Sequence, residues 1–320
     1  MTAIRLRQWT HKPGYPAGVS EGPGVTPSRP SEPGGTPVDP VAGDRASDDQ
    51  RRRFADGAPG LRQLALETFT RLYDARPDQT SHVDAVLHQL DPLIDLVTRK
   101  RIAIVGCGPR PEPLRILRER GFEVLGVEAV TDFLDAARRH LGEETAVLEG
   151  SAEEVPIPDE SQDVLWLESV LEHVESVGKT LEEAYRVLAP GGVAYITTTN
   201  RLQLKQREFN VRFFQWLPDL LKESYIFQHL HHDPHLANET ERPAVHWFTY
   251  SELCRLGREA GFFKFYSVVD VKTPQPENFA GSDATKQLKA KALGFAQMRP
   301  WLRALILTQR GGRIFMVKRG

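Results

Sequence analysis

Three features of the sequence carry chemistry: a glycine-containing loop, a carboxylate that follows it, and a scatter of histidines. The loop reads Ile104-Val105-Gly106-Cys107-Gly108-Pro109-Arg110-Pro111 and closes a short apolar run. Glycines at 106 and 108 permit a tight turn and let a ligand touch the main chain. Glu128 closes the next β-like run, 20 residues after Gly108. A carboxylate at such a strand end accepts hydrogen bonds from a pair of ribose hydroxyls. Gly106, Cys107, Gly108 and Glu128 therefore read as a nucleoside-binding constellation.

The loop also narrows the nucleoside. A dinucleotide site asks for a third glycine at the helix start and for N–H groups aimed at a pyrophosphate. Here Pro111 takes the glycine's place, and Pro109, Pro111 and Pro113 carry no N–H. A ligand with adenine and ribose but no phosphate fits this loop better, which points to S-adenosylmethionine. An NAD(P)-dependent oxidoreductase stays open as the alternative enzyme. A non-catalytic protein that keeps the fold as a scaffold stays open as the alternative without chemistry.

Histidines supply the candidate bases. His173 follows the run expected as the fourth strand, at the mouth of the site, and an imidazole titrates near neutrality. The other reading of His173 is a structural hydrogen bond. His246 is the second candidate. It closes a stretch, 209–250, that holds nine aromatic residues, among them Phe213, Phe214, Trp216, Tyr225, Trp247 and Phe248. That density reads either as an aromatic cap over an apolar or ring-bearing acceptor or as a subdomain with its own small core. His229, His231, His232 and His235 lie within it. Pro234 breaks the helix that would align two of them, so no metal is expected.

These residues need elements to position them. Apolar periodicity predicts a helix from residue 61 and a second over 81–98, with Val83, Val86, Leu87, Leu90 and Ile94 in its stripe and Pro92 within it. Strands are expected at 101–105, 122–127, 145–148, 163–167 and 193–198, with helices at 111–120, 132–141 and 181–188 between them. Thr180 and Glu183 have the spacing of a capping box, as do Thr249 and Glu252. Gly261 is placed to end the helix that Thr249 opens. A strand over 262–271, one helical stretch over 285–308 and a last strand over 313–318 complete the chain. Alternation of this kind implies a doubly wound α/β sheet, preceded by two helices and carrying a helical cap after strand five.

Composition sets the outer limits. The chain has 320 residues, with 41 Lys+Arg against 43 Asp+Glu, so no basic excess marks a nucleic-acid binder. No apolar run reaches the length of a membrane span, and no signal peptide is visible at the start. The two cysteines, Cys107 and Cys254, are far apart, which excludes a disulfide scaffold. A soluble, cytoplasmic protein is the expectation. Residues 1–60 hold 9 of the 23 prolines and 9 of the 25 glycines, and they read as a disordered tail.

Five segments, in order, carry a resemblance. They are the Gly106-Cys107-Gly108 loop with Glu128, Gly150-Ser151-Ala152-Glu153-Glu154-Val155-Pro156, Pro158-Asp159-Glu160-Ser161-Gln162-Asp163-Val164, Glu168-Ser169-Val170-Leu171-Glu172-His173-Val174, and Leu188-Ala189-Pro190-Gly191-Gly192. The chain resembles a class I S-adenosylmethionine-dependent methyltransferase of the small-molecule type, well over 100–200 and loosely over 249–320. The resemblance implies a seven-stranded Rossmann-like sheet over 61–320, with a cap insertion at 205–248. It implies that Ser151 and Ala152 lie near the adenine. Glu168 reads as shaping the cofactor site, and Glu172 as a surface carboxylate. Ile104 stands where the family carries an acid, and Ser151 where it often carries Asp. The implied reaction is methyl transfer to a small-molecule acceptor, with oxygen the first choice. The segment after strand four lacks the Asn/Asp-Pro-Pro-aromatic motif that clamps a flipped base, so a nucleic-acid substrate is not expected.

Overall fold

The protein is described from a computed structural model covering residues 79–142, 147–203, 214–218, 221–222, 225, 246–272, 281–310 and 312–320. The tail expected over 1–60, the helix expected from 61 and most of the cap expected over 205–248 lie outside the described residues.

The described chain opens with helix α1 (Gln79–Leu90) and then alternates: β1 (Arg101–Val105), α2 (Glu112–Glu119), β2 (Glu123–Glu128), α3 (Thr131–Leu141), β3 (Val147–Glu149), β4 (Gln162–Glu168), α4 (Val177–Val187) and β5 (Leu188–Thr197). Helix α5 (Tyr250–Glu259), strand β6 (Lys264–Ser267), the short α6 (Val268–Val271), helices α7 (Asp283–Met298) and α8 (Pro300–Arg310), and strand β7 (Arg313–Val317) follow. The seven strands form one sheet in the order β3-β2-β1-β4-β5-β7-β6. Strands β1 to β5 pair in parallel, and β7 runs antiparallel between β5 and β6. The expected doubly wound sheet is present, with its closing antiparallel pair.

Alternation along the strands sorts the core into two layers. Ala103, Val105, Leu165 and Leu167 face one side, where α4 contributes Leu181, Ala184 and Val187 and α5 contributes Leu253 and Cys254. Ile102, Ile104, Val164 and Trp166 face the other, under α1 (Val83, Val86, Leu90), α2 (Leu114, Leu117) and α3 (Leu134, Ala137). Each such aliphatic side chain stabilises the fold by about 1.5–3 kcal/mol on full burial. This double layer holds the carboxyl ends of β1, β2 and β4 side by side.

Five boundaries differ from the sequence reading, each for a local reason. Helix α1 stops at Leu90 rather than Thr98, because Pro92 has no N–H to continue the ladder and the chain goes on in turns. Helix α4 starts earlier than expected: Ser176 caps it by accepting the Lys179 N–H. Thr180 and Glu183 form no box there, since the Thr180 hydroxyl donates to the Ser176 carbonyl and Glu183 takes the Val155 N–H and Arg186. Strand β5 already begins at Leu188. The strand expected over 262–271 yields after Ser267, where a Ser267–Asp270 capping box turns Val268–Val271 into a helical turn despite three valines. The single helix expected over 285–308 is two, parted at Arg299, which Pro300 forces into an extended conformation. The Thr249–Glu252 box is present, and Gly261 follows the end of α5 with φ +105°.

Candidate functional site

The loop after β1 is shaped by two positive φ angles, +68° at Gly106 and +72° at Gly108. A Cβ on Gly106 would stand 2.7 Å from Val170 Cγ2, so the glycine also admits the segment that follows β4. The loop's own N–H groups are turned inward. Those of Gly106 and Cys107 donate to the Val127 carbonyl at 2.8 and 3.2 Å, and that of Gly108 donates to Glu128 Oε2 at 2.8 Å. Cys107 is buried among the α2 and β2 side chains, and burial pushes its thiol well above the ordinary range. The side chain is packing, and only its main chain faces the loop interior.

Glu128 sits 5% exposed at the end of β2. Its other oxygen accepts the N–H groups of Ala129 and Val130, both at 3.0 Å. Burial raises its carboxyl above the usual value, and the backbone bonds from Val130, Gly108 and Ala129 offset that only in part. The Gly150 N–H donates to the Glu128 carbonyl at 3.1 Å, which brings the post-β3 turn alongside. In that turn Ser151 Oγ accepts the N–H groups of Glu153 and Glu154, at 3.2 and 3.1 Å, while Ala152 is buried in the core layer. The hydroxyl spends its lone pairs on its own turn and keeps a proton to donate.

At the end of β4, Glu168 Oε2 is bonded by His82 Nε2 at 2.9 Å and by Trp166 Nε1 at 3.1 Å. Burial pushes this carboxyl up, but the His82 bond and charge, the Trp166 bond and the Arg313 charge outweigh burial and hold it below the ordinary value. Ser169 next to it is a non-glycine residue at φ +57°, its N–H bound to the Thr197 carbonyl at 2.9 Å. Left-handed backbone at a non-glycine residue stores strain and is common beside functional sites. Sequence reasoning missed His82. It flanks the apolar stripe of α1 like any surface residue, and its partner lies 86 residues away, so no local signal marks it.

The segment after β4 is pinned from below. Glu172 is buried, contrary to the surface role expected of it, and accepts the Thr198 hydroxyl at 2.7 Å. It is buried because residues 198–201, following β5, fold over it with residues 246–248. His173 is half-buried in the turn that Val170 and Glu172 frame, its N–H on the Val170 carbonyl. His246 Nε2 meets the Val174 carbonyl at 2.9 Å. A carbonyl only accepts, so Nε2 carries the proton, and the ring clamps 246–248 to the post-β4 turn. Of the aromatic segment, Phe214 contacts Tyr225 and Trp247 edge-on, and Lys222 Nζ lies 4.6 Å from the Trp247 ring centre. Among the described residues no group of three His, Cys, Asp or Glu converges as a metal site. The cluster His229, His231, His232 and His235 lies outside the described residues.

The structure thus places Gly106, Gly108, Glu128 and Ser151 just past the neighbouring carboxyl ends of β1, β2 and β3. Glu168 and His173 lie on the segment across the loop, and Cys107 and Ala152 are turned into the core. Residues 104–196, the stretch that carries these strand ends, match the family described as methyltransferase domain. Over those residues the chain carries a methyltransferase domain.

Its relatives are named methyltransferases as well. The domain is similar to malonyl-[acyl-carrier protein] O-methyltransferase of Salmonella typhimurium, 32% identical over 37% of this chain and 47% of that protein. It is similar to ubiquinone biosynthesis O-methyltransferase of Aromatoleum aromaticum, 29% identical over 61% of this chain and 80% of that protein. The matched part spans about half the length of the malonyl-carrier methyltransferases of Salmonella and Enterobacter, 47% and 55%. Among solved structures, phosphoethanolamine N-methyltransferase 2 of Haemonchus contortus, in complex with S-adenosyl-L-methionine, aligns at TM-score 0.48 and 16% identity, over 80% of this chain and 57% of that one.

Proposed function

We propose that this methyltransferase domain moves a methyl group from S-adenosylmethionine to oxygen on an apolar or ring-bearing small molecule. One observation carries the cofactor reading. The loop N–H groups that a pyrophosphate would need are spent on Val127 and Glu128, and the helix beyond begins with Pro111, Glu112 and Pro113. Two prolines at the helix start offer no N–H to a phosphate, whereas a sulfonium cofactor brings no phosphate to be held. The same observation counts against the oxidoreductase reading.

Glu128 would receive the ribose hydroxyls, the main chain of 106–108 would face the amino-acid part, and Ser151 with Ala152 would border the adenine. The cofactor supplies a methyl group already activated on a sulfonium. The chain's own task is to hold the acceptor oxygen in line at about 3 Å and to exclude water. A hydroxyl acceptor must also lose its proton, and His173, on the segment facing the loop, is the residue assigned to take it. His246 holds that segment through its proton on Nε2 and acts as a positioning residue. The Salmonella and Aromatoleum relatives are both named O-methyltransferases, which supports oxygen as the acceptor atom. The apolar or ring-bearing acceptor rests on the aromatic density of 209–250, while Phe214, Trp247 and Phe248 themselves are buried and pack on their neighbours.

The test is transfer of labelled methyl from S-adenosylmethionine to a panel of phenols, carboxylic acids and amines, with adenosylhomocysteine release followed in parallel. Label on an oxygen acceptor, lost in His173→Ala with cofactor binding retained, is the expected result. Turnover with NADH and none with S-adenosylmethionine would overturn the reading.

A further inference from the structure

The helical insert between β6 and β7 has two unlike faces. Its inner face is fully engaged: Ala296 and Leu307 pack on Val269, Gln297 donates to the Val269 and Lys272 carbonyls, and Arg303 pairs with Asp270. Its outer face carries large apolar side chains in water: Leu288 is 69% exposed, Phe295 45%, Met298 72%, Trp301 64% and Leu305 58%. Leu288, Phe295 and Met298 share one side of α7, at helical spacing of seven and three. Lys291 lies on that same side by its spacing from Leu288 and Phe295, and the Arg299 guanidinium lies 5.5 Å from the Phe295 ring centre. Over 283–310 the chain has six cations, Lys286, Lys289, Lys291, Arg299, Arg303 and Arg310, against one carboxylate, Asp283.

We propose that the outer face of α7 and α8 seats the protein on an anionic lipid surface. Apolar side chains, a tryptophan among them, enter the acyl boundary while Lys and Arg snorkel to the anionic headgroups. Charge decides between occupants. A second copy of the chain would set Lys291 and Arg299 against cations of its own, which disfavours a symmetric pair. An acidic protein would satisfy the cations, but the centres of protein interfaces are depleted in lysine, and Lys291 stands among these apolar side chains. A lipid surface accepts both sets at once.

The position on the fold gives this face a use. Helix α8 enters β7 beside the carboxyl end of β5: Asn200 Nδ2 donates to the Thr308 carbonyl at 3.0 Å, and the Thr198 N–H donates to that of Gly312 at 2.7 Å. The insert therefore leaves the sheet at the end where β1, β2 and β4 have their carboxyl ends. A lipid-dissolved acceptor would meet the domain on that side.

The experiment is co-sedimentation of the full chain with vesicles of phosphatidylcholine and phosphatidylglycerol, and with phosphatidylcholine alone. Binding to the anionic vesicles at about 0.1 M salt, lost near 1 M, is expected. Phe295→Ser with Trp301→Ser should weaken it at least about tenfold, and Lys291→Glu with Arg299→Glu should do the same. All four positions are exposed, so unchanged circular dichroism accompanies both results. Absence of vesicle binding by the wild type, equal binding by the variants, a dimer dispersed by these variants, or capture of an acidic carrier protein in place of vesicles would each overturn the proposal.

Discussion

Strands β2 and β4 flank β1 on either side, and each ends in a glutamate beside the same glycine loop. The two carboxylates are held in opposite ways. Glu128 is gripped by main-chain N–H groups from its own next two residues and from Gly108, with burial raising its carboxyl. Glu168 is gripped by the side chains of His82 and Trp166, which with nearby positive charge outweigh burial and lower it. Main-chain partners are fixed once the loop forms. Of the side-chain partners, Trp166 stands two residues away on the same strand, and His82 depends on a helix from far along the sequence. The first kind of grip organises a ligand loop, and the second ties a strand end to the helix that covers it.

The largest expected effect comes from the loop that both carboxylates border. Gly106→Ala puts a Cβ at φ +68° and against Val170. The expected stability loss is about 2 kcal/mol, with weaker binding of adenosylhomocysteine, measured by chemical denaturation and calorimetry. A variant as stable as the wild type would show that the loop gives way freely and that the site is not a rigid cradle.

The two carboxylates should then separate by pH. Glu168 has a lowered folded value, so its contribution is complete above the ordinary glutamate value of 4.5 and is lost as pH falls through the lower folded value. The melting difference between wild type and Glu168→Gln should therefore shrink as pH falls below that point. Glu128 has a raised folded value, so its effect has the reverse sign: the folded state is favoured at low pH and loses ground as pH rises through the raised value. Glu128→Gln should gain on the wild type as pH rises towards neutrality. Parallel pH courses for the two variants, read from thermal melts, would dissolve the contrast.

A smaller effect is expected at the partner. His82→Ala removes one hydrogen bond to a part-exposed carboxylate and should cost about 1 kcal/mol. Adenosylhomocysteine affinity should hardly change, which separates the covering helix from the cradle. The smallest belongs to the exposed Arg115 on α2, whose bonds to Glu112 and Glu119 are surface pairs. Arg115→Ala should stay within about 0.5 kcal/mol.

The same contrast explains what was legible beforehand. Gly106, Gly108 and Glu128 were readable because their spacing encodes a local geometry: strand, turn, strand end. The sheet was readable because Ile102-Ala103-Ile104-Val105 and Val164-Leu165-Trp166-Leu167 are continuous apolar runs of strands covered on both faces. His82 and the burial of Glu172 were not, since each follows from a chain crossing made elsewhere. The helical turn at Val268–Val271 escaped for a smaller reason: β-branched content outvoted the Ser267–Asp270 cap, and the cap prevails in the fold. Cys107 was counted among the cofactor residues on position alone, and its burial against α2 makes its side chain packing.

The central claim is that the main-chain loop and Glu128 together form a sulfonium-nucleoside site. Calorimetry of S-adenosylmethionine with wild type and Glu128→Ala, with NADH as control, tests it most directly. The account predicts micromolar binding to the wild type, weakened at least about tenfold in Glu128→Ala, a loss of about 1.4 kcal/mol, and no binding of NADH. Failure of S-adenosylmethionine to bind at millimolar concentration, or binding that Glu128→Ala leaves unchanged, would contradict it.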